Sequence, residues 1–204
     1  MTQSKVVPLD TAASKVEPAD GRRQRSERSR AQIIEAMFQL IREGDMSPSA
    51  AKVAERAEVG LRTVFRHFED MDSLYVEMAE RITAEIMPKI LAPFEAREWR
   101  DRLMEHLHRR IDIYEHILPV RVSANIRRFQ SRFLMEEYRR NLVMERSTLH
   151  ALLPESVNKD PVLFAAIETA VSFQSWRRLR QDSDLSCEQA ADVFRLTMER
   201  LVAP

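Results

Sequence analysis

This chain has few means of cross-linking itself, turning sharply or carrying net charge. One of its 204 residues is cysteine, Cys187, so no internal disulfide can form and nothing argues for an oxidising compartment. Glycine occurs only at positions 21, 44 and 60, each where a helical pattern changes, which excludes a Gly-rich phosphate loop. The longest apolar run, Val162 to Ile167, is far too short to span a membrane. The first 30 residues lack an apolar core segment, so no signal peptide and no membrane partner are expected, and the cytoplasm is the expected location. Basic and acidic residues number 32 each, so any affinity for a polyanion must be local rather than global.

Hydrophobic residues make up 44% of the chain, enough for a sizeable core. Five of the 32 basic residues are lysine, so 27 are arginine, the residue suited to bidentate contact with phosphate and guanine. Apolar spacing is helical wherever it is periodic, with no strand pattern, and the chain reads as all-α.

The most informative stretch runs from Gly44 to Leu74. Ser49 is placed to cap a helix whose apolar face is Ala50, Val53, Ala54 and Ala57. Glu58-Val59-Gly60 reads as a turn, with Gly60 supplying a permissive N-cap. A second short helix then runs from Leu61 to about His67, burying Val64 with Phe68. Arg62, Thr63, Arg66 and His67 are left outward, a cationic helix on a small apolar support, as major-groove insertion requires. The helix before this pair spans about Ser29 to Glu43, burying Ile33, Ile34, Met37, Phe38 and Ile41, with Gly44 at its end.

This first third of the chain resembles the TetR (tetracycline-repressor-like) family of bacterial transcriptional regulators. The resemblance rests on Ile33 to Gly44, Ser49, Val53-Ala54, Ala57-Glu58-Val59-Gly60, Thr63-Val64-Phe65-Arg66-His67-Phe68 and Leu74. It implies an N-terminal three-helix head with a helix-turn-helix, joined by a fourth helix to an antiparallel helical body that binds ligand and dimerises. Three positions depart from the family pattern. Glu58 stands for the turn glycine, Phe65 for a tyrosine whose hydroxyl meets the DNA backbone, and Met71 for a lysine, beside Glu69, Asp70 and Asp72. The first demands a backbone state that a side chain tolerates poorly. The other two remove a phosphate hydrogen bond and a cationic anchor.

Three segments are expected: a disordered arm over 1–21, a DNA-binding domain over 22–75, and a ligand-binding and dimerisation domain over 76–204. Arg22, Arg23 and Arg25, with Arg28 and Arg30, give the head a local basic run that reads either as a solvated lead-in or as an arm on phosphate. Arg62 is the candidate base reader, since its fork matches guanine O6 and N7. Leu61 and Phe65 are either thymine-methyl contacts or apolar underside. Thr63 and His67 match family positions that touch phosphate. Ser49 and Lys52 are placed to do the same, aided by helix amides, and Gly60 and Arg66 complete the expected surface.

In the body, amphipathic helices are expected from Asp70 or Asp72 until Pro88, from about Glu95 to Ile117 with Pro119 closing it, a short one across Val120–Gln130, one from Ser131 to Leu153 ending at Pro154, and two over about 161–180 and 186–202. The last two carry three-four stripes, Leu163, Ala166, Ala170, Phe173 and Ala191, Phe194, Met198, Leu201. The resemblance makes these the homodimer interface, against ordinary core packing. It also implies an effector cavity, for which Met104, Leu107, Tyr114, Phe129, Phe133, Phe173 and Trp176 are the candidates, against the same alternative. Glu105, His108, Asp112 and His116 recur at metal-ligand spacing, yet fall opposite the apolar face, so a solvated face is preferred and neither metal nor cofactor is expected. No nucleophile, base and orienter assemble from local spacing, and the chain is not read as an enzyme.

A ligand-responsive repressor acting as a homodimer on a palindromic double-stranded DNA operator is the resulting expectation, with an unknown small-molecule effector. A helical protein-interaction module is the competing reading, and a metal-binding helical-bundle enzyme a more distant one.

Overall fold

The computed structural model describes residues 18–203, with side chains from residue 21. It is all-α: ten helices and one π-helical turn, with no strand among the described residues. The expectation of a disordered arm falls largely on residues 1–17, outside the described residues. The basic run that follows is helical rather than an arm. Helix α1 spans Pro18–Arg42, so Arg22, Arg23, Arg25 and Arg28 stand on its exposed first turns.

The end of α1 shows how sequence sets the head. Gly44 has φ of 100°, a conformation that a Cβ disfavours. Its N–H donates to Ile41 O (3.1 Å) and that of Asp45 to Leu40 O (3.0 Å), closing the helix in a Schellman motif. The chain then turns into α2 (Ala50–Arg56), capped by Ser49, and α3 (Leu61–His67). Asp70 caps α4 (Met71–Leu91) in a reciprocal capping box with Ser73.

Two prolines do not end their helices. Pro88 lies inside α4, and Pro119 lies inside α5 (Trp99–Arg127), which absorbs the separate helix expected after Val120. A mid-helix proline costs about 3 kcal/mol. Around Pro119 the cost is offset by burial of Ile117, Leu118 and Val120, and by the hydrogen bonds of buried Ser123.

Helix α6 (Arg132–Leu152) starts at the Ser131 cap, as expected, and a short α7 (Glu155–Asn158) follows. The single helix expected over 161–180 is broken. Helix α8 (Pro161–Ala170) stops at Val171, and Ser172 caps α9 (Phe173–Arg177), which runs on as a π-turn over Arg178–Asp182. Ser172 Oγ accepts from Ser175 N, and Ser175 Oγ donates to Thr169 O (2.6 Å), a local bonding pattern that competes with helix. Helix α10 (Cys187–Leu201) closes the chain with a Ser186–Gln189 capping box.

Two apolar clusters result. The head cluster gathers Ile33, Met37, Ile41, Val53, Val64, Phe68, Leu74 and Met78, together with Val120 and Leu134 from the body. The body cluster gathers Leu103, Leu107, Tyr114, Phe164, Ile167, Phe173, Trp176, Phe194 and Met198. Helix α4 connects them: Leu74, Tyr75 and Met78 belong to the first, while Ile82, Ile86 and Ile90 pack on the second.

Candidate nucleic-acid interface

The α2–α3 turn repeats the chemistry of the α1 terminus. Glu58 N donates to Glu55 O (3.1 Å) and Val59 N to Ala54 O (3.0 Å), again a Schellman motif. Glutamate occupies the glycine place, at φ of 54°, a left-handed conformation costing about 1–2 kcal/mol. Gly60, by contrast, has φ of −69° and needs no special freedom, so the expected permissive backbone is not what it supplies.

From this turn α3 buries only Val64 along its length. Arg62 and Arg66 are exposed and have no carboxylate partner among the described residues; Leu61 and Phe65 are 46% and 50% exposed. Thr63 is half-buried. His67 departs from expectation: its Nε2 is closed off from solvent without a partner, its ring tilts against Phe68, and burial lowers its pKa. It does not present the imidazole outward.

Arg30, counted in the sequence as part of the basic run, faces inward instead. Its guanidinium pairs with Glu77 on α4, donates to His67 O at the end of α3 (3.3 Å), and lies 4.9 Å from the Phe68 ring centroid. Lys52 is exposed but paired with Asp45 at 2.7 Å, and exposed Arg23 pairs with Glu27. Arg25 Nε donates to Gly21 O. Ser49 Oγ is engaged in its own cap, accepting from Lys52 N. Of the carboxylates beside the missing lysine, Asp70 is engaged in its cap and Asp72 bonds Arg127 (3.2 Å). The exposed cations of α3 thus meet less opposing charge than the sequence suggests.

Behind the head lies a cavity of about 150 Å³ between α4, α5 and α6. Its apolar walls include Tyr75, Met78, Ile82, Ile86, Ile113, Ile117 and Leu134. Of the seven residues expected to line an effector cavity, only Tyr114 does so. Leu107, Phe173 and Trp176 are spent in the body core, where Trp176 stacks edge-on against Phe194 and donates to Glu115. Phe129 is 73% exposed, Phe133 packs on the head cluster, and Met104 borders the body cluster. Charged residues reach this cavity instead: Arg110 and Arg121 from α5, Glu137 and Glu145 from α6. A sequence signal existed, since Arg110 falls three residues beyond Leu107 on the apolar face of α5.

The chain shares the fold of a transcriptional regulator from Rhodococcus sp. Rha1. The crystal structure of that protein matches with a TM-score of 0.65, covering 87% of this chain and 95% of that one, at 16% sequence identity. At that identity the likeness is one of fold. No protein-family model matches the chain, and no curated protein matches it significantly.

The expected dimer stripes need correction. Phe173, Phe194 and Met198 are buried in this chain's own core, and Leu163, Ala191 and Leu201 pack partly against it. Of that set, Ala166 and Ala170 remain at the edge of the core, half-buried. The exposed large apolar residues of the same two helices are Val162 on α8 and Val193 and Leu196 on α10. The acidic and histidine stripe of α5 is dispersed. Glu105 receives Glu95 N, Ala96 N and Arg109, His116 faces Glu85, and His108 and Asp112 face solvent. Among the described residues, no group of three His, Cys, Asp or Glu is placed to hold a metal, and no helix is long and apolar enough to cross a membrane.

Proposed function

We propose that this protein is a sequence-specific DNA-binding transcriptional regulator of the TetR type, acting as a homodimer on a near-palindromic operator. One observation carries the reading. Helix α3 presents Leu61, Arg62, Phe65 and Arg66 to solvent, with both arginines free of carboxylates among the described residues, from a buried support of Val64 and Phe68. A free guanidinium on the first turn of a supported helix suits bidentate contact with guanine. The exposed helical turns of Arg22, Arg23, Arg25 and Arg28 add a sequence-independent phosphate term. The fold match to a named transcriptional regulator supports the same class.

Dimerisation is assigned to the outward side of α8 and α10, around Val162, Val193 and Leu196, because these apolar residues stand exposed on two helices packed side by side. A two-fold axis there gives recognition helices set for half-sites about 34–36 Å apart, or a multiple of it. Ligand in the cavity shifts the equilibrium toward a dimer with the wrong spacing, which releases DNA; a repressor of this kind is thereby relieved by its effector. A coupling of about 1–3 kcal/mol suffices.

Selection of bound duplexes from a random pool tests this directly. A two-fold-symmetric motif is expected, and Arg62→Ala should lose preference at one base pair per half-site. A pool that stays random, or a protein that is monomeric at working concentration, overturns the reading.

A further inference from the structure

We propose that the cavity between α4, α5 and α6 is built for a small monoanion, a carboxylate on an apolar ring or short chain, received by Arg110. The proposal rests on the reading of the body as an effector-binding domain.

The charges around this cavity are paired off among themselves, with one buried exception. Glu145 pairs with Arg121 at 2.7 Å, both side chains largely buried. Glu137 pairs with Arg140, and Arg109 with Glu105. Each carboxylate of the wall therefore has its own cation, and two cations are left over among the described residues: Lys89, which is exposed, and Arg110. Arg110 is only 6% exposed and has no carboxylate partner among the described residues. Its Nη atoms donate to two carbonyls, Val171 O (3.4 Å) and Glu145 O (3.2 Å). A buried guanidinium without a counter-ion is costly, and one bordering a cavity has its remedy in a ligand carboxylate.

His106 makes the same wall. Its Nε2 is buried and has no partner, and burial beside Arg110 and Arg109 keeps the ring neutral, so it is able to donate to an anion without adding charge. Ile82 and Ile86 from α4, with Ile113 and Ile117 from α5 itself, supply the apolar wall. A space of about 150 Å³ holds one benzene-sized ring. One buried spare positive charge and one ring-sized apolar space define the ligand class.

Calorimetry on the full chain without DNA, using benzoate and phenylacetate against benzamide and phenylacetamide, tests this. The acids should bind at least about tenfold tighter than their amides, the difference expected of a charge-assisted hydrogen bond. Arg110→Met should abolish that preference, with helix content checked by circular dichroism. Glu145→Gln frees Arg121 and should tighten the acids several-fold while leaving the amides unchanged, so the test does not depend on the fold tolerating loss of Arg110. Amides that bind as well as acids, acids that do not bind, or an unresponsive Glu145→Gln overturn the assignment. Operator binding measured separately keeps the two readings apart. Amides that release DNA would sink the anion and leave the regulator, whereas acids that bind without affecting DNA would leave the site and sink its coupling.

Discussion

The Tyr75 hydroxyl lies 2.8 Å from Ser123 Oγ, and both side chains are buried. Ser123 spends its single proton on the Met46 carbonyl at 2.8 Å, so Tyr75 is the donor in the first bond. The relay runs from a cavity-lining residue on α4, through α5, to the loop that leads into α2. Its two bonds tie the reading head to the wall of the cavity.

Removing the Tyr75 hydroxyl therefore separates stability from response. Tyr75→Phe should cost about 1 kcal/mol in urea denaturation, the net worth of one buried hydrogen bond. DNA affinity without ligand should fall, and the shift produced by ligand should shrink. A variant with native stability and a native ligand response would show the relay to be passive.

Glu58 offers a stabilising change. At φ of 54° it carries a Cβ penalty that glycine does not. Glu58→Gly should raise stability by about 0.5–1 kcal/mol, after allowance for the greater freedom of glycine in the unfolded chain. The same change removes a carboxylate next to α3, so DNA binding should tighten and its salt dependence steepen slightly. Chemical denaturation and binding at two salt concentrations check both effects.

Phe65 is half-exposed on the proposed reading face. Phe65→Tyr adds a hydroxyl where the helix flank would approach phosphate. Affinity for the selected operator and for random duplex should rise together by about two- to tenfold, one hydrogen bond's worth. A gain confined to the operator would place the ring against a base instead.

His106 makes stability depend on pH. Its folded pKa is lowered to about 3, first by burial and then by Arg110 and Arg109, whereas an unfolded histidine titrates near about 6.5. The folded state thus resists a proton that the unfolded state accepts. Stability from this source is complete above the unfolded pKa and is lost as pH falls toward the folded one. The slope approaches about 1.4 kcal/mol per pH unit. Urea midpoints at neutral and mildly acid pH should fall further for the native protein than for His106→Gln. Equal falls would show that carboxylates alone govern the acid limb.

The head was legible in the sequence because its determinants are local. Ser49, Gly44, Val64 and Phe68 act within a few residues of themselves, and spacing alone sets the helix ends and the outward face. The engagement of Arg30 was not legible because Glu77 and Phe68 are far from it in the chain, and the closing-off of His67 Nε2 likewise depends on packing, not spacing. The body was legible as helices but not as a cavity. Phe173 and Trp176 look like pocket walls in one dimension, yet whether they meet a void or a neighbour depends on how α5, α9 and α10 pack. Prolines misled for a related reason. Pro119 ends a helix only when the next turn has nothing to bury, and Val120 and Ser123 do.

The Arg30 clamp has a mechanical consequence. One guanidinium fastens three helices at their junction: it is rooted in α1, holds the last carbonyl of α3, and grips Glu77 in the second turn of α4. Those pieces are coupled, so a swivel of the head that keeps this clamp is taken up farther down the α4 shaft, past Met78, where contacts pass from one cluster to the other, and along the α5 contacts of the head. The same stretch of α4 flanks the cavity. An occupant there would press on the pivot itself, not on the part that it turns.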